Sequence, residues 1–141
     1  MQFVVEKFKI ALLFILKGNY TIVKDIFINL AKSKRVTKIL YVMQSMTFNW
    51  ANNIVISRLT SINSQQTHLV INGCKKVLIQ NMKAIAPDQS PHTDGIHVQI
   101  SSDVTITDST LQTGDDCVSI GPGTYNLFMT NLKCGPGHGI R

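Results

Sequence analysis

A short motif rich in aliphatic residues returns along the chain at nearly constant spacing. Each copy starts with a polar or charged residue, and the copies are separated by 23, 27 and 23 residues. They are Asn53-Ile54-Val55-Ile56, Lys76-Val77-Leu78-Ile79, Asp103-Val104-Thr105-Ile106 and Asn126-Leu127-Phe128-Met129. This period holds short strands and their turns, but it leaves no room for a crossover helix. The repeat therefore favours stacked β-coils over a helical or sandwich fold.

A second series has the same kind of period. It begins at Asp94-Gly95-Ile96, Asp116-Cys117-Val118 and His138-Gly139-Ile140, and both intervals are 22 residues. One coil cannot bury its own aliphatic side chains, whereas stacked coils pool them into a continuous core. The two series together predict an all-β protein, a right-handed parallel β-helix of about four coils.

The residues between the strands fit this architecture. Leu59, Met82 and Leu132 recur at the coil spacing and are predicted to lie in the core. Asn is expected at turns because its side chain bonds nearby backbone and tolerates left-handed backbone geometry. The residues assigned to turns on this ground are Asn52, Asn53, Asn72, Asn81, Asn126 and Asn131.

The net charge of +6 lies in the first 40 residues, which carry eight basic and two acidic side chains. Residues 41–141 carry six of each, so no basic surface is predicted on the repeat and nucleic acid is not an expected partner. Residues 1–45 are predicted to be a separate N-terminal segment: a leader, a helix capping the first coil, or a signal-like stretch. Its apolar run, Ile10–Leu16, is too short to cross a membrane. Residues 46–141 are predicted to form a monomeric partial β-helix domain.

The second series carries the candidate chemistry. Equal spacing predicts a ladder of Asp94, Asp116 and His138, with neighbours about 4.8 Å apart. Strand alternation would send Asp115 and Asp116 to opposite faces, so a bend or bulge near Thr113-Gly114 is predicted to bring both into one cleft. Like charges at short range disfavour full ionisation, which would leave one carboxyl protonated. Glycoside hydrolysis uses one protonated carboxyl and one ionised carboxylate, and a separation of roughly 5–10 Å favours inversion.

The segments TDGI (93–96), TGDDCVSIG (113–121) and CGPGHGI (134–140) resemble glycoside hydrolase family 28, in particular its plant members. The resemblance covers residues 47–141. It implies hydrolysis of α-1,4-galacturonosyl linkages in pectin with inversion, without a cofactor or metal. It also implies secretion to the plant cell wall.

The resemblance assigns roles to residues of this chain. It implies that Asp115 is the general acid and that Asp94 and Asp116 activate the hydrolytic water. His138 would support the acid and the substrate. The positions that it places against substrate are His92, Gly137 and Gly139.

Cysteine roles follow from the same resemblance, which implies a disulfide between Cys117 and Cys134. Counting alone leaves at least one of the three cysteines unpaired. Cys74 would then be a buried small apolar residue.

The sequence departs from the family pattern in two places. His92 stands where the family has Asn, which alters the expected contact with substrate near Asp94. The family continues with an Arg-x-Lys motif that holds substrate carboxylates, whereas this chain ends at Arg141. We therefore expect a fragment, and Arg141 is not assigned the role of that motif.

Two alternatives to an active hydrolase remain, one from the missing motif and one from the crowding of carboxylates. One is a catalytically inactive β-helix remnant that binds pectin weakly. The other is a divalent-metal site built from the Asp and His cluster, as in calcium-dependent pectin lyases that share the architecture.

The remaining His and aromatic residues are predicted to be structural. His68 and His97 are expected to face solvent on strands or to be satisfied by local hydrogen bonds. Trp50 and Tyr125 are expected to pack against the coils rather than stack on sugar.

Overall fold

The computed structural model describes residues 21–24, 27–29, 46–64 and 66–141, which form β-strands joined by turns and contain no helix. It follows that no helix of this described part is long and apolar enough to cross a membrane. In chain order the strands are β1 (Thr21–Lys24), β2 (Phe27–Asn29), β3 (Met46–Asn49), β4 (Asn52–Ser57), β5 (Thr60–Ile62), β6 (Leu69–Asn72), β7 (Lys75–Gln80), β8 (Lys83–Ile85), β9 (Ile96–Gln99), β10 (Ser102–Gln112), β11 (Asp116–Ile120), β12 (Tyr125–Cys134) and β13 (Gly139–Ile140).

Successive coils pair in parallel and form two sheets. One sheet has the order β13-β11-β9-β6-β3, and we call it the site sheet. The other contains eight strands and is bent, because the first part of β10 pairs with β7 while its last residues pair with β8. Ile54 lies opposite Val77, Val77 opposite Val104, and Val104 opposite Leu127. The 23, 27 and 23 intervals are therefore the register of the stack, and the predicted parallel β-helix is confirmed.

The core consists of rows of aliphatic side chains that point inward at equivalent positions of each coil. Ile56, Ile79 and Ile106 form one such row and are fully buried. Leu59 and Met82 are also fully buried, as the spacing predicts. Each row is covered by the coil above and the coil below, so burial depends on stacking rather than on any single coil.

Bends in each coil fall on residues with left-handed backbone geometry. The second residue of β4, β7, β10 and β12 has a φ between 53° and 59°. A second set lies five residues further along, at Arg58, Asn81, Asp108 and Asn131, with φ between 50° and 54°. Asn and Asp adopt this region more readily than most residues, which explains their recurrence.

Side chains at these bends also bond between coils. Asn126 Nδ2 donates to Asp103 Oδ1 at 3.0 Å, and Asn131 Nδ2 donates to Asp108 Oδ1 at 2.6 Å. The hydrogen bond from Asn131, followed by one from Thr107, lowers the pKa of the Asp108 carboxyl. The prediction that Asn marks turns holds at these bends.

Asn72 departs from that prediction. It lies in β6, and its Nδ2 donates to Asn49 Oδ1 on the neighbouring strand β3 at 2.8 Å. Its side chain therefore bonds along the site sheet instead of closing a turn.

The N-terminal segment also departs from expectation. Thr21–Lys24 and Phe27–Asn29 are not helical; they form β1 and β2, which pair in parallel with β4 and β5. Two strands that pair with the coils therefore lie within residues 1–45, the predicted leader, cap helix or signal-like stretch. The signal-like run and the remaining helix prediction lie outside the described residues.

Candidate active site

The candidate residues gather where successive coils enter the site sheet. Asp94 lies two residues before β9, Asp116 is the first residue of β11, and His138 immediately precedes β13. Because these strands are neighbours in one sheet, their amino ends form one edge. Asp115 comes directly before β11 and belongs to the same edge.

The predicted ladder holds between the first two coils and shifts at the third. Val118 lies opposite Ile96, which preserves the interval of 22, but Asp116 lies opposite Gly139 rather than His138. The register between β11 and β13 changes between Asp116 and Val118. The expectation of one regular ladder is therefore wrong at His138, because an irregularity in the pairing offsets it by one residue.

The backbone around Asp115 is fixed by two close approaches. Gly114 N donates to Thr93 Oγ1 at 2.9 Å, and a Cβ at Gly114 would lie 2.2 Å from Ser90 O. A Cβ at Gly137 would lie 1.9 Å from Asp115 O, so only glycine fits there. This contact allows His138 N to donate to Asp115 O at 2.8 Å. Gly137 thus supports the site through its backbone.

Asp115 and His138 are paired through their side chains. His138 Nδ1 lies 3.0 Å from Asp115 Oδ1, and the Asp115 side chain is 23% exposed. His92 Nδ1 lies 3.8 Å from Asp115 Oδ2 and its side chain is 83% exposed. Asp115 can therefore meet a ligand from solvent while remaining paired with His138.

Asp116 is more enclosed than Asp115. Its side chain is 8% exposed, and Oδ1 has no hydrogen-bond donor among the described residues. Two basic side chains lie near that oxygen, His138 Nδ1 and Arg141 Nε, each at 3.8 Å. No sequence pattern indicates the Arg141 contact, because it depends on how the last coil folds against β11.

Both carboxylate oxygens of Asp94 accept hydrogen bonds from β11. Asp116 N donates to Oδ1 at 3.3 Å, and Ser119 Oγ donates to Oδ2 at 2.8 Å. The orientation of Asp94 is thereby tied to the strand that carries Asp116. Ser119 was not singled out from sequence, because a lone serine on a strand has no distinguishing pattern.

The cysteines have the arrangement that the resemblance implies. Cys117 and Cys134 form a disulfide, which joins β11 to the end of β12. Cys74 is a free, buried thiol, and its burial raises its pKa. The disulfide holds the strand that begins with Asp116 to the segment that leads to His138.

The other predicted positions have different surroundings. His92 borders the acid, whereas Gly139 has a φ of 84° and open space at its Cβ position. The ring nitrogens of His97 lie within hydrogen-bond distance of Ser119 and Gln99, as predicted. His68 differs from the prediction, because it is fully buried and its Nε2 has no partner within the part of the chain that is described.

The aromatic residues expected to pack are exposed. Trp50 is 59% exposed and Tyr125 is 60% exposed. The packing prediction is therefore wrong for Tyr125. It holds in part for Trp50, because a Cβ at Gly73 would lie 2.5 Å from the indole, so that ring lies against the glycine backbone.

Asp115, Asp116 and His138 can each direct one ligand atom into a small volume. These atoms lie within 4.8 Å of one another. The same compact group can hold a divalent cation or share protons between two carboxyls and an imidazole. Geometry alone thus allows both chemistries.

Comparison with known proteins identifies the family of this chain. The profile of Glycosyl hydrolases family 28 matches residues 28–141, starting earlier than the resemblance found by motif. A polygalacturonase of Prunus persica is 55% identical over 96 residues, covering 68% of this chain and 24% of that protein. An exopolygalacturonase of Zea mays is 47% identical over 96 residues, covering 68% of this chain and 23% of that protein.

The fold has a solved relative as well. A polygalacturonase from Erwinia carotovora ssp. carotovora superimposes with a TM-score of 0.65 and 29% identity, covering 68% of this chain and 27% of that one. The chain spans about a quarter of the length of the relatives that it matches.

Proposed function

Because the chain belongs to glycosyl hydrolase family 28, we propose that its site hydrolyses α-1,4-galacturonosyl linkages of pectin with inversion. The observation that carries this proposal is the pairing of Asp115 with His138 at 3.0 Å beside the enclosed carboxylate of Asp116. A carboxyl that can donate a proton and a neighbouring carboxylate that stays ionised are the two parts that glycoside hydrolysis requires. Polygalacturonases and exopolygalacturonases among the relatives support the choice of substrate.

Asp115 is the proposed general acid. Its partial exposure lets the protonated carboxyl reach the glycosidic oxygen, to which it transfers its proton as the C–O bond breaks. The new carboxylate then accepts a hydrogen bond from His138 Nδ1, which stabilises it until a proton returns from solvent. His138 thus supports the acid after it has given up its proton.

Asp94 and Asp116 are the proposed pair that activates water. The water attacks the anomeric carbon on the face opposite the leaving oxygen and gives its proton to one of these carboxylates. Hydrogen bonds from Asp116 N and Ser119 Oγ hold Asp94 in a fixed orientation for this step. The guanidinium group of Arg141, whose Nε lies 3.8 Å from Oδ1, balances the charge of Asp116.

Substrate contact is proposed for the exposed rim of the site. His92 lies beside Asp115 and is almost fully exposed, so a protonated imidazole there can pair with a galacturonate carboxylate. Gly139 has open space where a side chain would stand, so a sugar can approach the last coil there, and Gly137 is proposed to contact it through its backbone. We also propose a monomer that acts in the plant cell wall, where a disulfide such as Cys117–Cys134 persists.

The first experiment measures reducing sugar released from polygalacturonate by the disulfide-intact chain and by Asp115→Asn. We expect release by the wild-type chain and a loss of roughly 100-fold to 10,000-fold in the variant, because Asn cannot donate the proton. Asp103→Asn is the matched control, since Asp103 is an exposed carboxylate on the eight-stranded sheet that bonds Asn126. It should leave turnover unchanged.

The stereochemical outcome is read from the anomeric proton signal of the first product. Inversion predicts that the β-anomer appears before mutarotation. An inactive wild-type chain that still binds polygalacturonate by calorimetry would instead support the pectin-binding remnant.

The metal alternative has the compact group of Asp115, Asp116 and His138 in its favour. A calcium-dependent lyase would lose activity with a chelator and would yield an unsaturated product that absorbs ultraviolet light. A hydrolase should show neither property, so chelator sensitivity would count against the proposed mechanism.

A further inference from the structure

A chain of hydrogen bonds leads from Asp94 across the outer surface of the site sheet. Ser119 Oγ donates to Asp94 Oδ2 at 2.8 Å, and His97 Nδ1 lies 2.7 Å from the same hydroxyl oxygen. On the other side of the imidazole, His97 Nε2 lies 3.2 Å from Gln99 Oε1. Three side chains on β9 and β11 are therefore connected to one carboxylate of the proposed water-activating pair.

The chain continues beyond Gln99 to the first coils. Gln99 Nε2 donates to Asn72 Oδ1 at 3.2 Å, and Asn72 Nδ2 donates to Asn49 Oδ1 at 2.8 Å. These amides occupy equivalent positions of β3, β6 and β9, since Asn49 pairs with Asn72 and Asn72 with Gln99. This row of amides in register determines that Gln99 turns Oε1, and not Nε2, toward His97.

The direction of these bonds determines which atoms of His97 carry protons. The Ser119 hydroxyl uses its only hydrogen toward Asp94, so its oxygen accepts from His97 and Nδ1 must be protonated. Because Gln99 Nε2 donates to Asn72, Gln99 presents its carbonyl oxygen to the other ring nitrogen of His97, Nε2. The bond with Ser119 thus places a proton on Nδ1 of His97.

The residues in register with His97 on the neighbouring strands are one apolar side chain and the serine itself. Val70 of β6 lies in register with His97 on one side, and Ser119 of β11 lies in register on the other. Along these hydrogen bonds the acidic group that is reached is Asp94. A Cβ at Gly121 would lie 2.7 Å from the Gln99 Cβ and 3.4 Å from His97 Cε1, so glycine leaves the room that both side chains occupy.

We infer that Ser119 and His97 are positioning residues that hold the Asp94 carboxylate for water activation, an inference that rests on the proposed function. His97 keeps the Ser119 hydroxyl pointed at Asp94 Oδ2, while Asp116 N fixes Oδ1. Both oxygens of Asp94 are thereby oriented before substrate binds. The amide row extends this support to strands that carry none of the proposed acids or bases.

The first arm of the test observes the His97 ring by ¹⁵N-resolved NMR of the full chain near neutral pH. We expect a proton on Nδ1 in the wild-type chain, and we expect Ser119→Ala to change that signal because the acceptor is removed. A wild-type ring without a proton on Nδ1 would overturn the inference. This arm needs no turnover, so an inactive chain would count against the proposed function alone.

The second arm measures turnover of polygalacturonate by Ser119→Ala and Ser119→Thr. Ser119→Ala should lower kcat roughly 10-fold to 100-fold with KM unchanged, because a misplaced carboxylate slows attack by water. Ser119→Thr keeps the hydroxyl and should recover most of the loss. A higher KM with unchanged kcat would overturn the inference by making these residues substrate contacts.

Ser57→Ala is the matched control for this arm. Ser57 is buried in the eight-stranded sheet, and its Oγ accepts from Gln80 Nε2 at 3.4 Å with no link to Asp94. It should leave kcat and KM unchanged. An equal loss of kcat in Ser57→Ala would mean that removing any serine hydroxyl loosens the stack, and the specific role of Ser119 would be rejected.

Discussion

His68 lies immediately before β6 with its side chain fully buried, and Nδ1 contacts Ser61 Oγ at 2.8 Å. Burial lowers the pKa of His68 from 6.5 to about 4, since a charged imidazole in this place would lack solvent. The folded state therefore holds His68 neutral at a pH where the unfolded chain has already taken up a proton.

This difference predicts a loss of stability in acid. Between pH 6.5 and about 4 the unfolded state binds more protons than the folded state, so stability falls as pH decreases through this window. The loss amounts to about 3 kcal/mol at most. Urea unfolding near pH 7 and near pH 4 measures it, and His68→Asn, which keeps a neutral polar group, should reduce the difference.

His92→Asn is the control for this measurement. His92 is exposed, so removing its imidazole should leave the pH dependence of stability as it is in the wild-type chain. An identical pH dependence in wild type and His68→Asn would show that His68 does not cause the effect.

At the residue scale, sequence and structure differ in what they identify. Asp94, Asp115, Asp116 and His138 are visible in the sequence because carboxylates and a histidine recur at the coil period. Ser119 has no such signal, since its role depends on which side chain the next coil places against it. The burial of His68 is hidden for the same reason.

Among the strands, the left-handed backbone geometry recurs at the bends even where the residue is neither Asn nor Asp. Lys76 occupies the second position of β7 with a φ of 59°, where the other coils have Asn53, Asp103 and Asn126. A lysine in the left-handed region carries a cost that glycine avoids. The neighbouring Lys75 is not among the residues with positive φ.

These two lysines give a matched pair of substitutions. Lys76→Gly should stabilise the fold by about 0.5–1 kcal/mol, because relief at the backbone outweighs the greater entropy of glycine in the unfolded chain. Lys75→Gly should destabilise it by a similar amount, since it brings that entropy without relief. Urea midpoints of both variants decide the matter, and a loss of stability in Lys76→Gly would contradict the prediction.

Strand positions were largely predictable, but strand boundaries and the N-terminal coil were not. The repeat locates β4, β7, β10 and β12, because alternating aliphatic residues are required wherever one face is buried. β1 and β2 lack such a clear motif. They become strands because β4 and β5 offer them edges to pair with. We propose that they belong to the same domain as residues 46–141.

At the scale of the whole molecule, stability is shared by stacked coils whose inner rows are continuous. Ile79 lies in the middle of one row, between Ile56 and Ile106, and is fully buried. Leu78, its neighbour in β7, points to the other face and is only partly buried. The same strand thus offers an inward and an outward residue of equal size.

Ile79→Ala should lower the free energy of unfolding by about 2–5 kcal/mol, because it leaves a cavity that two adjacent coils line. Leu78→Ala should cost clearly less, since solvent already reaches that side chain. Chemical unfolding followed by circular dichroism compares the two. Equal losses would show that the row containing Ile79 does not act as the core of the stack.

The coil period, the all-β architecture and the residue types of the site can be predicted from the sequence, because burial on one face and a fixed chain length per coil impose a periodic pattern. Three features became visible only in the folded chain: the one-residue offset of His138 from Asp116, the approach of Arg141 to Asp116, and the hydrogen bonds that connect His97 and Ser119 to Asp94. These features depend on how side chains of different coils meet. Such contacts join residues that are 22 to 25 positions apart, so their geometry cannot be predicted from a local sequence pattern.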